Sequence, residues 1–191
     1  MASRLDRAIA PLGRLLRNRR AGESGSIRNA GEVETSTVIA VSSATFDYGA
    51  TIADRHSFTG RGDNVSPALD WTPPPVKTRQ LLLVMDDVDA PLKLPAVHLV
   101  ALFPPTITHF DEGELGKDNP AIRYIPSRHG RTGYVGPRPL PGHGIHHYGF
   151  HLYALDQVVP TDAAIKNLIA LLPHLRDHVI ASGYLEGVQE G

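Results

Sequence analysis

The chain has 191 residues, 41% hydrophobic and 20% charged, with a formal net charge of -1. That length suits one domain with a substantial core, and the charge balance lacks the strong positive excess of a general nucleic-acid binder. With no cysteine, disulfides and thiolate metal centres are excluded. No apolar run approaches the roughly 18 residues of a membrane span, and the first twenty residues lack a secretory-type apolar stretch, so a soluble, cytoplasmic protein is expected.

The 16 prolines and 18 glycines crowd the middle of the chain. Breaker-rich sequence between breaker-poor ends predicts a β-rich body flanked by helices. Residues 1–20 carry six arginines (Arg4, Arg7, Arg14, Arg17, Arg19, Arg20) against one acid, Asp6. Leu5, Ile9, Leu12 and Leu16 recur at helical spacing, which makes this a basic amphipathic helix with Pro11 starting or kinking a turn. Such a helix packs on its own domain or on a twin subunit, or meets an anionic membrane or RNA. Residues 21–34, rich in Gly, Ser and Glu, read as a linker, which puts a domain boundary at residues 1–36 and 37–191.

The run from Thr37 to Phe46 is rich in β-branched residues and serine and predicts a first strand. Gly60 to Pro67 is a turn-rich loop in which Arg61-Gly62-Asp63 is turn chemistry. Arg79 to Met85 is continuously apolar after its first residues, the mark of a strand covered on both faces. Ala96 to Phe103 forms a second strand, with Val97, Leu99, Ala101 and Phe103 on one face and His98, Val100 and Leu102 on the other. The polar stretch 111–135 is long for a connection, so part of it is expected to pair as an edge strand or to serve function. Gly136 to Tyr148 holds three prolines, three glycines and three histidines in thirteen residues, which predicts a rigid loop feeding a strand over 148–156. Pro160-Thr161-Asp162 is expected to cap a helix reaching Leu172, and a shorter helix follows to Ser182, stopped by Gly183.

Two clusters carry chemistry: Asp87 and Asp89 with His98, and His143, His146 and His147 with Tyr148. Two aspartates two positions apart share a side in extended backbone, and crowding there favours protonating one of them. Imidazoles opposite would relieve the strain and make a small polar pocket in an apolar wall. A metal centre is not expected: no ligating helix motif is present, and His143, His146 and His147 would converge only on a helix that the glycines and prolines forbid. No serine sits in a nucleophile elbow and no glycine-rich phosphate loop is present.

Five pieces occur together in order: Gly62-Asp63-Asn64-Val65-Ser66-Pro67-Ala68-Leu69-Asp70-Trp71, Asp87-Val88-Asp89-Ala90-Pro91, His98, Gly136 through Tyr148, and Leu152-Tyr153-Ala154-Leu155-Asp156. Together they resemble the phosphatidylethanolamine-binding protein family, also called Raf kinase inhibitor-like proteins, in its bacterial branch, over roughly residues 37–188. The resemblance implies a mainly β fold of two antiparallel sheets with C-terminal helices, to which this chain adds its N-terminal helix. It implies a pocket for a small anion or phosphorylated head group, with Asp87, Asp89, His98, His146 and Tyr148 matching the family's binding residues and Arg138 and Pro139 on the rim. It also implies a cis bond at Ala90-Pro91. Three departures bear on ligand preference: Val88 stands where proline is usual, Leu99 where an aromatic is frequent, and His147 where arginine is usual.

The expected function is binding without catalysis and without a cofactor. An inhibitor or regulator of a kinase or protease is the alternative, and a hydrolase using a His/Asp pair a further one. A homodimer through the N-terminal segment is a further expectation.

Overall fold

The computed structural model describes residues 4–191. In chain order its elements are helix α1 (Arg4–Leu16), strands β1 (Val41–Ser42), β2 (Leu69–Trp71), β3 (Gln80–Asp87), β4 (Ala96–Phe103), β5 (His109–Phe110), β6 (Arg123–Tyr124) and β7 (Ile145–Leu155), the short helix α2 (Leu168–Leu171) and strand β8 (Val179–Glu190). Two antiparallel sheets result, a five-stranded one in the order β6-β4-β3-β7-β8 and a three-stranded one in the order β1-β2-β5.

The apolar run of β3 is continuous because the large sheet is covered on both faces. Leu81, Leu83 and Met85 pack with Leu69, Trp71 and Phe110 of the small sheet, while Leu82 and Val84 pack with Ile27, Val33, Ile165, Leu171 and Leu175 on the opposite side. In the polar 111–135 stretch, Arg123–Tyr124 pairs as an edge strand on β4.

The expected first strand over 37–46 is laddered only at Val41–Ser42. The run is divided between partners: Val38 bridges Ser182 and the Ile39 amide donates to the Ser182 carbonyl at 2.8 Å, before Val41 pairs with Trp71. A segment crossing between two sheets cannot ladder along its length with either.

The C-terminal region departs most from expectation. The helix expected over 160–172 shrinks to Leu168–Leu171, capped by Asn167, whose side chain accepts from the Ala170 amide at 2.9 Å. The expected second helix is replaced by β8, whose buried positions alternate through Ala181, Gly183, Leu185, Gly187 and Gln189. Gly183 is a site of close approach and not a helix stop: a Cβ there would sit 2.5 Å from both the Ile39 carbonyl and Val41.

Residues 21–34 are docked along the domain and do not behave as a free linker. The Ala21 and Gly22 amides donate to the carbonyls of Ala90 and Val88, at 3.0 and 2.8 Å, and Ile27 and Val33 are buried in the second core. Helix α1 runs through Pro11 without ending there.

Candidate functional site

The site is assembled where β3 ends. Asp87 is the last residue of β3 and pairs directly with Tyr148 of β7, so both project to the small-sheet side. A bulge brings His98 to the same place. Met85 pairs with Leu99 but Asp86 pairs with Val97, leaving His98 as the extra residue. Val97 therefore turns to the second core, against the regular alternation expected of β4, and the His98 ring meets Tyr148 edge-on at 5.4 Å. Its Nδ1–H donates to the Val135 carbonyl at 2.7 Å.

Asp87 and Asp89 do not share one face. The chain turns after Asp87, and the Asp89 amide donates back to the Asp87 carboxylate at 2.9 Å. The Asp89 carboxylate is consumed elsewhere: it accepts from the His147 amide and from His147 Nδ1, both at 2.7 Å, and from the Arg20 guanidinium. Burial alone would push the Asp89 carboxyl up, but the His147 bonds and Arg20 outweigh it and hold the group below the ordinary carboxylate range. His147 thus faces Asp89, while His146 faces Asp87.

Three hydrogen bonds run in series from Asp87. Its carboxylate meets His146 Nδ1 at 2.8 Å, His146 Nε2 meets His143 Nδ1 at 2.8 Å, and His143 Nε2 meets the Leu16 carbonyl at 2.9 Å, with the Arg19 carbonyl at 3.2 Å. A carbonyl only accepts, so His143 Nε2 carries a proton, and each of the other two bonds needs one proton between its atoms. Three protons on one carboxylate and two imidazoles leave the set uncharged. His143 is therefore a buried partner of His146 within the turn that precedes β7. Gly142 and Gly144, with φ of 77° and 104°, fold the chain sharply enough to bring two histidines together without a helix.

Asp87, His98, Arg138, Pro139 and His146 line a cleft of about 1150 Å³. Asp89 and Tyr148 lie behind its wall. Tyr148 is fully buried, and its hydroxyl proton finds no acceptor. Burial, and then the charge of Asp87, raise its phenol far above the ordinary value, so it stays a proton donor. Arg61 and the Arg138 backbone N–H act in the opposite sense, and like Asp87 they belong to cleft-lining residues. Arg138 itself is exposed at the rim, 5.7 Å over the Phe58 ring. The Ala90-Pro91 bond is trans, since no cis peptide occurs among the described residues.

Sequence reasoning missed three participants. Arg20 and the Leu16 carbonyl reach the site through the fold of the N-terminal segment, which no local pattern announces. Asp86, next to Asp87, faces the opposite side of the sheet, where it meets His151 Nε2 at 2.9 Å and Ser26 Oγ at 2.7 Å. Strict alternation along β3 and the length of the polar run Asp86-Asp87 were the available signal for a second polar cluster. Among the described residues no group of three or more His, Asp or Glu is arranged to hold a metal ion.

An antiparallel two-sheet body with a polar cluster at the end of its central strands defines the class of protein. The sequence pattern of the family described as phosphatidylethanolamine-binding protein matches residues 42–190, and the chain belongs to that family. A protein of Pyrococcus horikoshii named UPF0098 protein PH1269 is 34% identical over 137 residues, covering 70% of this chain and 68% of its own. Among solved structures, Escherichia coli YbcL, described as a new member of the mammalian family, has a TM-score of 0.73 and 25% identity, with 80% of this chain and 98% of that one covered. The Chlamydia trachomatis homologue CT736 has a TM-score of 0.69 and 26% identity, with 82% and 99% covered.

Proposed function

We propose that the cleft binds a phosphate or phosphorylated head group, and that the protein binds this ligand without transforming it. The observation that carries the reading is the Tyr148 hydroxyl, a buried donor whose proton has no acceptor, set among cleft-lining residues. A buried hydroxyl proton without an acceptor costs roughly 1–3 kcal/mol, and an oxyanion reaching it from the cleft would supply the missing acceptor. The His98 ring lies beside it, and the Arg138 side chain lines the same cleft as a further donor.

Aspartates near an anion site pose less of an obstacle than their formal charges imply. Asp87 belongs to a set that three protons leave neutral, and Asp89 is matched by Arg20 and His147. Catalysis by His146 as general base finds no support in this arrangement, because both ring nitrogens are engaged, one by Asp87 and one by His143.

Calorimetric titration with inorganic phosphate, on the natural chain and on Tyr148→Phe, tests the reading. Removing a hydroxyl whose proton has no acceptor changes the melting temperature little, while phosphate affinity falls by roughly tenfold or more, the worth of one charge-assisted bond. A variant that binds phosphate as the natural chain does would remove Tyr148 from the site and the reading with it.

A further inference from the structure

We propose that the outward face of α1 is a docking surface for an anionic lipid bilayer. The helix contacts its own domain through small residues and backbone. Gly13 is buried, and a Cβ at Gly13 would stand 2.0 Å from the Pro141 carbonyl, while one at Gly142 would stand 2.6 Å from the carbonyl of Ala10. The leucines are left outside: Leu5 is 58%, Leu12 51% and Leu15 80% exposed, and Ala8 is exposed among them. At about 3.6 residues per turn, Leu5, Ala8, Leu12 and Leu15 lie in one stripe, and Arg7, Arg14 and Arg17 lie together along another side of the cylinder. All three arginines are exposed, and Arg7 and Arg14 edge the cleft.

Charge decides the occupant. A bilayer takes the leucine stripe into the acyl boundary, and the long arginine stems on the other side of the helix extend to phosphate oxygens of the headgroup layer. Each arginine brought to an anionic surface raises the affinity by roughly fivefold. A second copy of the helix offers no such match, because residues 1–20 carry six arginines against the single acid Asp6, and two copies would meet with like charge. The inference does not depend on what the cleft holds.

The test sediments the full chain with vesicles of phosphatidylglycerol mixed with phosphatidylcholine, and with phosphatidylcholine alone. The expected result is binding to the mixed vesicles only, weakened when ionic strength rises from about 0.05 M to about 0.5 M and the Debye length shrinks. The exposed double variant Leu12→Glu/Leu15→Glu, with an unchanged thermal melt, should bind at least ~10-fold more weakly. Absence of binding to mixed vesicles, or equal binding by the double variant, overturns the proposal. So does light scattering that finds a dimer converted to a monomer by the same substitutions, which would assign the stripe to a second copy of the chain.

Discussion

Asp86 and Asp87 are chain neighbours on opposite faces of one sheet, and each is matched by its own histidine. Burial alone would push the Asp86 carboxyl up; the bond and charge of His151, with donors from Ser26 and the Ile27 amide, outweigh it and hold the group below its ordinary value. A carboxyl depressed in the folded state contributes stability that is fully present above the unfolded value, about 3.9, and is lost as pH falls through the lower folded value. Asp86→Asn should therefore cost about 2–4 kcal/mol near neutrality, and the gap to the natural chain should narrow below about pH 3.9. Denaturation curves at both pH values check this; a gap that stays constant in acid would mean that the charge of Asp86 is not what stabilises.

At this same scale the sequence exposed Asp87, His98, His146 and Tyr148 through the order of their motifs. It did not expose which partners they take. Asp89 was legible as a carboxylate beside Asp87 but not as one turned away, because that depends on the turn at Val88 and on Arg20 arriving from 69 residues earlier.

Among the elements, α1 is held by close backbone approach, so its position depends on a residue with no side chain. Gly13→Ala would force a methyl group into the Pro141 carbonyl. The expected outcome is displacement of α1 with loss of the bonds from His143 to Leu16 and Arg19, read as faster amide exchange over residues 4–20 while β3 and β7 remain protected. Uniform protection in the variant would show that α1 tolerates the methyl group where it lies. Strands β3, β4 and β7 were legible because apolar runs and alternation report burial directly. The start of β4 was not, since a single extra residue at His98 inverts the faces and leaves no trace in composition. Strand β8 was misread for a related reason: its glycines mark close approaches of the 39–52 segment, which look in sequence like helix stops.

Over the whole molecule, the large sheet carries a core on each face, and that much follows from the apolar continuity of β3 and the spacing of the family's motifs. The sandwich places Asp87, His98, His146 and the Arg138 rim around one cleft, and the N-terminal segment closes the hydrogen-bond series behind it.

The most direct measurement is a crystal structure of the chain grown or soaked with inorganic phosphate. The account predicts one phosphate in the cleft, accepting a hydrogen bond from the Tyr148 hydroxyl at about 2.5–2.8 Å, with His98 and Arg138 as neighbours. Phosphate density elsewhere on the molecule, with the Tyr148 hydroxyl proton still lacking an acceptor, would contradict it.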